Sequence, residues 1–320
     1  MANYILSHKS HEDWLRSREG GIGSSEVATV LGVNPYQTPY QLWLAKTGRV
    51  QVAEQEDFLM KAGHYLEDAI SHFCADAADL EIVKSSASEF IVVNQEKPYL
   101  RVSPDRYAYP KDARHTRDNK VIIECKSTQK QVDPDNLSKY WFCQLSYQLG
   151  VAEVNLGYLA WLTQGRDFGY KQIAFDSDFF RFIVEEVERF WFDCVLGGRE
   201  PALITVTDVI LKYPKHEEGK RIYADTELVD KWAELKDVNT EIKRLQSVKE
   251  EIENSLKASM LDAESLAIPA DADTPERTIA TWKASKDSQK FDVDALKKAE
   301  PETYAKYLKT VAGSRRFSIK

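Results

Sequence analysis

"SPDRYAYPKDARHTRDNKVIIECKS", residues 103–127, sets an aspartate straight after a Ser-Pro turn and then places a glutamate and a lysine in an aliphatic run. Residues 121–126 predict a β-strand, because they are mostly β-branched or apolar and the polar Ser127, Thr128 and Gln129 follow. Side chains alternate along a strand, so Ile122, Glu124 and Lys126 share one face while Ile123 and Cys125 take the other. Charge therefore gathers on one face at the strand's C-terminal end. A carboxylate and an ammonium buried among isoleucines are costly unless each is paired or holds a metal. The competing reading is an edge strand with an ordinary Glu/Lys pair on its outer face.

The Ser103-Pro104-Asp105 triplet bears on that choice. Residues 99–102 read as the end of another short strand, Pro104 breaks it, and residues 106–109 resume an extended pattern. If the two strands are neighbours, Asp105 and Glu124 converge. Two carboxylates at strand ends, with a lysine two residues on, can hold Mg²⁺ through hard oxygen ligands. The lysine then orients or deprotonates an attacking water. This is the PD-(D/E)xK spacing.

Composition narrows the setting. At 320 residues, with 43% hydrophobic and 11% aromatic side chains, the chain can build one large core or two ordinary ones. No run approaches the apolar length of a membrane span, and the opening MANYILSHKSHEDW lacks signal-peptide architecture, so a soluble cytoplasmic protein is expected. Cys74, Cys125, Cys143 and Cys194 are scattered without a Cys-x-x-Cys pair, which argues for reduced core thiols over zinc ribbons, iron–sulfur clusters or disulfide frameworks. A net charge of -8 speaks against coating nucleic acid by bulk electrostatics. Locally the balance reverses: residues 101–139 hold nine Lys/Arg against six Asp/Glu.

Along the chain, Ser10 opens a short helix that Gly20 and Gly21 stop. In "GIGSSEVATVLGVNPY", Ser24 or Ser25 can cap a helix running to Leu31, with Gly32 at its end. A glycine-led helix N-terminus with two hydroxyls is a natural anion pocket, and Arg18 lies one loop away to add a planar charged fork. The alternative is a plain cap beside a surface arginine. Residues 58–73 keep helical apolar spacing with Glu67 at the margin of the stripe, either a further metal ligand or a solvated neighbour. Strands are expected at 89–94, 99–103, 121–127, 154–162 and 169–175, with helices at 136–150 and 177–196. The fold class is α/β (α+β), a mixed central sheet flanked by helices. Residues 228–260 read as a long amphipathic helix able to form a coiled-coil seam, broken around Lys249. After the polar linker "PADADTPE" come a strand at 278–282, a helix at 293–308 interrupted by Pro301, and a last strand at 315–319. The expected domains are a core at 1–213, the long helix at 214–262 and a small α+β module at 263–320. Residues 282–320 hold ten Lys/Arg against five acids, a face that either touches DNA or is simply solvated.

These pieces, in this order, resemble the phage-type alkaline exonucleases of the lambda exonuclease and YqaJ family. The matching residues are Arg18 with "GIGSSEV", "GHYLED" carrying Glu67, "SPD" at 103–105, "ECK" at 124–126 and "QLSYQLGV" from Gln144, spanning roughly residues 10–195. "NPYQTPYQLWLAKTG" resembles the YqaJ branch, and the "ATWK…RRFSIK" ending is similar to tails of YqaJ-like prophage proteins. The resemblance implies a restriction-endonuclease-like PD-(D/E)xK core in which Glu67, Asp105, Glu124 and the carbonyl of Cys125 ligate one or two Mg²⁺ ions, with Mn²⁺ as a substitute. It implies that Lys126 activates water, that Arg18, Ser25, Ser103 and Gln144 hold a terminal 5′-phosphate, and that Tyr147 stands near the same wall. It further implies 5′-to-3′ digestion of one strand from a double-stranded DNA end, leaving a 3′ overhang, by a homotrimeric ring that works with a single-strand annealing protein, in a phage or prophage setting. The rivals are a restriction-like or structure-specific endonuclease on the same fold, and a non-catalytic DNA-binding or assembly protein that uses the 228–260 helix.

Overall fold

Runs rich in Val, Ile, Leu and Tyr supply the strands, and the apolar stripes between them supply the helices that cover the sheet. The structure, a computed structural model, describes residues 3–7, 10–50, 58–83, 90–311 and 313–319. The chain divides into two units, Met1–Lys212 and Tyr213–Lys320. In the first unit the order is β1 (Tyr4–Ser7), α1 (His11–Glu19), α2 (Ser24–Val30), α3 (Pro39–Lys46), α4 (Phe58–Ala77), β2 (Leu80–Ile82), β3 (Phe90–Val93), β4 (Arg101–Val102), β5 (Arg106–Pro110) and β6 (Val121–Thr128). Then follow α5 (Lys139–Ala152), β7 (Leu156–Thr163), β8 (Asp167–Ala174), α6 (Ser177–Arg189), a π-helical segment Phe190–Leu196, and α7 (Val206–Lys212).

The central sheet has the strand order β2-β5-β6-β7-β8. β6 and β7 run parallel, while β2/β5, β5/β6 and β7/β8 are antiparallel, so the sheet is mixed. A parallel pair needs a crossover, and α5 provides it. β6 has a strand on each side, which removes the edge-strand reading of Glu124 and Lys126. Its two faces enter two different cores. Ile122 packs with Leu145 and Leu149 of α5, whereas Ile123 and Cys125 pack with Ile70 and Cys74 of α4. Ile122 and Ile123 are both fully buried, and each contributes about 1.5–3 kcal/mol of hydrophobic stabilisation. A second sheet, β1-β3-β4, joins the first unit. Among the described residues all four cysteines are buried and free, and no helix is long and apolar enough to cross a membrane.

Several boundaries differ from those expected. Gly23, not Ser24 or Ser25, is the N-cap of α2, and the Glu26 carboxylate accepts its N–H at 2.8 Å. The helix expected over 177–196 turns π-helical for its last seven residues. Of the strand expected at 89–94, Glu89 lies outside the described residues. α3 was not anticipated although its start is well marked: the Thr38 hydroxyl accepts from Gln41 N–H, the Gln41 side chain accepts from Thr38 N–H, and Pro39 sits at the first turn.

The second unit holds α8 (Thr226–Met260), β9 (Ser265–Ile268), β10 (Arg277–Thr281), α9 (Val293–Ala299) and α10 (Pro301–Lys306). Asp225 caps α8 by accepting from Leu228 N–H. Pro301 divides the last helical stretch in two, and β10 pairs antiparallel with β9. The strand expected at 315–319 does not form. Phe317 stands exposed there, and among the described residues no neighbouring strand offers a ladder.

One polar cluster locks the end of the first unit. Asp208 on α7 is fully buried, and its carboxylate accepts from the Thr38 hydroxyl at 2.8 Å, Gln41 Nε2 at 3.1 Å, Ile204 N–H at 2.9 Å and Thr205 N–H at 3.0 Å. Burial opposes its ionisation, but the donors of Thr205, Thr38 and Ile204 outweigh burial and hold its carboxyl below the usual range. Asp208→Ala orphans these donors and is expected to destabilise the unit by about 2–3 kcal/mol in urea melts. A depressed native value gives stability that is present at neutral pH and lost as acid passes through it, so the variant should flatten that part of the acid limb.

Candidate active site

The β5/β6 pairing sets Arg106 opposite Ile123, so Asp105, one residue before β5, arrives beside the next stretch of β6. Its Oδ2 accepts the Cys125 N–H at 2.7 Å. The N–H and C=O of a strand residue point to the same edge, so the Cys125 carbonyl faces Asp105 as well. Glu124, one residue earlier, points to the opposite face and is almost wholly buried. Its Oε1 accepts from Lys126 Nζ at 2.7 Å and from Gln144 Nε2 at 2.5 Å, and its Oε2 accepts from Gln148 Nε2 at 2.8 Å. Lys126 Nζ also donates to Gln144 Oε1 at 2.9 Å. The charge in the aliphatic run is thus buried, paired and gripped by two amides from one face of α5. Glu67 comes from the half-buried side of α4, the helix that covers the other face of β6.

The electrostatics of these groups are linked. Burial raises the Asp105 carboxyl well above the usual carboxylate range, and the charges of Glu124 and Glu67 push it further. Burial likewise raises Glu67, opposed by His64 and reinforced by Glu124. Burial alone would lower the Lys126 ammonium, but Glu124 and Asp105 outweigh it and keep the lysine charged. The Cys125 thiol is pushed up by burial and then by Asp105 and Glu124, so it stays neutral in its core.

Among the described residues no three His, Cys, Asp or Glu side chains already stand as a ready-made metal cage. The donor chemistry nevertheless fits a hard divalent cation. Asp105, Glu124 and Glu67 lie near enough for their charges to act on one another, with the Lys126 ammonium beside them, and oxygen donors of that kind suit Mg²⁺ or Mn²⁺.

The anion pocket read at the start of α2 is a separate cluster that abuts this one. Arg18 lies over the Trp14 ring at 4.8 Å and donates to the Ser25 hydroxyl at 2.9 Å. Beneath it, the buried Lys46 ammonium donates to Glu26 at 2.8 Å and to the Arg18 carbonyl at 3.0 Å. Burial lowers the Lys46 ammonium against the pull of Glu26. The approach to α2 is clamped to β4: Ile22 N–H donates to the Tyr99 carbonyl at 2.8 Å, and Arg101 N–H to the Ile22 carbonyl at 3.2 Å. Gly21 is needed there, because a Cβ would stand 2.4 Å from the Tyr99 carbonyl oxygen.

The other residues assigned to phosphate binding are spread out. The Ser103 hydroxyl donates to the Phe90 carbonyl at 2.8 Å, tying β4's end to β3. Gln144 belongs to the Glu124/Lys126 cluster. Tyr147 is fully buried and donates its hydroxyl to the Ile22 carbonyl at 2.9 Å, so it supports the α2 loop from behind and does not line a wall. One residue was missed. Gln148, four residues after Gln144 and so on the same helix face, donates to Glu124 and also to the Ser24 hydroxyl at 3.3 Å. That amide joins the start of α2 to the Glu124 carboxylate. The i,i+4 glutamines were the signal that could have found it.

Residues 13–155 match the YqaJ-like viral recombinase domain family. An uncharacterized protein, YqaJ, of Bacillus subtilis (strain 168) is 32% identical over 327 residues, which cover 98% of this chain and 95% of that protein. An alkaline exonuclease, LHK-Exo, from Laribacter hongkongensis superposes with a TM-score of 0.44 at 14% identity, over 57% of this chain and 91% of that one. The crystal structure of LHK-Exo in complex with dAMP gives a TM-score of 0.43 at 16% identity, with the same coverage.

Proposed function

The chain belongs to the YqaJ-like viral recombinase family, and from that premise we propose that it is a Mg²⁺-dependent deoxyribonuclease that digests one strand of linear duplex DNA from its 5′ end. The observation that carries this reading is the meeting of Asp105 with the Glu124-Cys125-Lys126 strand, through the 2.7 Å bond from Cys125 N–H to the Asp105 carboxylate. Glu67, Asp105, Glu124 and the Cys125 carbonyl would hold the cation, which supplies Lewis-acid charge to the phosphate under attack and to the departing 3′-oxygen. Lys126, held by Glu124 and Gln144, orients the attacking water. Gln144 and Gln148 fix the Glu124 carboxylate and its rotamer. Cleavage on the 3′-oxygen side releases a mononucleotide and leaves the phosphate on the new 5′ end. Each cut therefore regenerates the group that Arg18 and Ser25 are arranged to hold.

The remaining strand would be a 3′ overhang suited to a single-strand annealing protein. A ring of subunits, three by resemblance, would keep the enzyme on its duplex in the bacterial cytoplasm that a phage or prophage occupies. The Arg18 pocket separates this reading from an endonuclease on the same fold. Arg18→Ala is expected to slow digestion of 5′-phosphorylated duplex by about 10- to 100-fold while leaving the slower digestion of a 5′-hydroxyl duplex nearly unchanged. Strand-specific end labels read both rates. Equal losses on the two ends, or release of label from the 3′ end first, would contradict the assignment.

A further inference from the structure

Tyr36 is 77% exposed, yet its position is well defined. Its backbone N–H donates to Asn34 Oδ1 at 2.9 Å, and Asn34 Nδ2 donates to the hydroxyl of the fully buried Thr29 at 2.8 Å, so the loop after α2 is pinned beneath the ring. The rings of Tyr36 and Tyr140 on α5 meet edge to face, with centroids 6.1 Å apart and planes at 87°. Tyr140 in turn lies 6.0 Å from Lys126 Nζ. Two aromatic rings therefore lead outward from the reacting lysine into solvent, within the span of a few stacked nucleotides. A half-buried tyrosine beside a charged lysine needs no further explanation. A second tyrosine held beyond it on a pinned loop, with its ring open to solvent, presents a π-face at the mouth of the site.

Resting on the nuclease reading above, the geometry points to Tyr36, backed by Tyr140, as the stacking platform for a nucleobase of the strand being digested. Every base has a π-face, so such a platform grips the strand without regard to sequence, as an enzyme that proceeds along DNA requires. It also gives the terminal bases a partner to replace the one they lose as they leave the duplex.

The test uses the full chain with 5′-phosphorylated linear duplexes in EDTA, where no cutting occurs. One duplex carries normal bases, and another carries abasic sites at the first three nucleotides of the 5′ strand. Tyr36→Ala is expected to weaken binding of the normal duplex about tenfold, and Tyr36→Phe to restore it. On the abasic duplex wild type and Tyr36→Ala should bind alike, because there is no base to stack. A purely structural role for Tyr36 would weaken both duplexes equally, and that result, or no loss on either, overturns the proposal. Abasic sites placed instead in the 3′ strand should preserve the tenfold difference, and its disappearance there would also count against the assignment. Wild-type protein that holds no duplex end would overturn the nuclease reading along with this one, whereas normal wild-type binding without a Tyr36 effect would remove the platform alone.

Discussion

Lys126→Ala is expected to bind a duplex end with unchanged affinity and to cut it about 10²- to 10³-fold more slowly, the range lost when one preorganised donor is removed. The expectation rests on where Lys126 stands: its ammonium touches the Glu124 carboxylate and the Gln144 amide, and among the described residues it makes no hydrogen bond to the Arg18/Ser25 cluster. The substitution also leaves a buried carboxylate without its cation, so the metal-free protein should lose stability. Lys126→Gln keeps a donor within reach of Glu124. It should show the same loss of cutting with a smaller loss of stability, which separates the chemistry from the fold. A gel-shift titration and a timed digestion on one duplex supply both readings. Retained cutting in both variants would remove Lys126 from the mechanism.

The second large effect belongs to Asp105. Asp105→Asn keeps an oxygen that can accept the Cys125 N–H and removes only the charge. Digestion should fall by a factor of about a thousand or more, since on the proposed reading several kcal/mol of transition-state stabilisation would depend on the cation this carboxylate would help to hold. Stability moves the other way. Burial and the neighbouring charges of Glu124 and Glu67 disfavour a charged Asp105 in the metal-free fold. The neutral amide should therefore raise the melting temperature of the metal-free protein, as happens where function keeps a strained site. Mg²⁺ should raise the melting temperature of the wild type and leave that of Asp105→Asn nearly unmoved. A variant that cuts normally, or one that gains as much from Mg²⁺ as the wild type, would show that Asp105 does not hold the metal.

What could be read in advance divides along physical lines. Strand alternation at 121–128 is a strict period of two, so the opposite burial of Ile122/Glu124 and Ile123/Cys125 followed from sequence alone. The meeting of Asp105 with that strand needed one further assumption, that β5 and β6 are neighbours, and the pairing supplies it. Arg18 and the α2 start were legible through glycine and hydroxyl chemistry, though the cap moved to Gly23 because the Glu26 side chain bonds its N–H. Gln148 and Tyr147 were harder. α5 is buried from Cys143 through Leu149, so amphipathic spacing does not say which polar side chain faces the carboxylates. Tyr147 points away from the carboxylates and reaches the Ile22 carbonyl, a partner 125 residues distant that no local rule identifies. β2 was lost for its brevity, three residues, and the strand expected at 315–319 finds no partner strand among the described residues.

The measurement that tests the central claim most directly is digestion of three DNAs, each with Mg²⁺ and with EDTA: linear duplex with 5′-phosphate ends, linear duplex with 5′-hydroxyl ends, and a covalently closed circle. The account predicts rapid loss of one strand of the phosphorylated duplex with Mg²⁺, slower loss from the hydroxyl ends, an intact circle, and no cutting in EDTA. A cut circle, or DNA that survives intact in every tube, would contradict it.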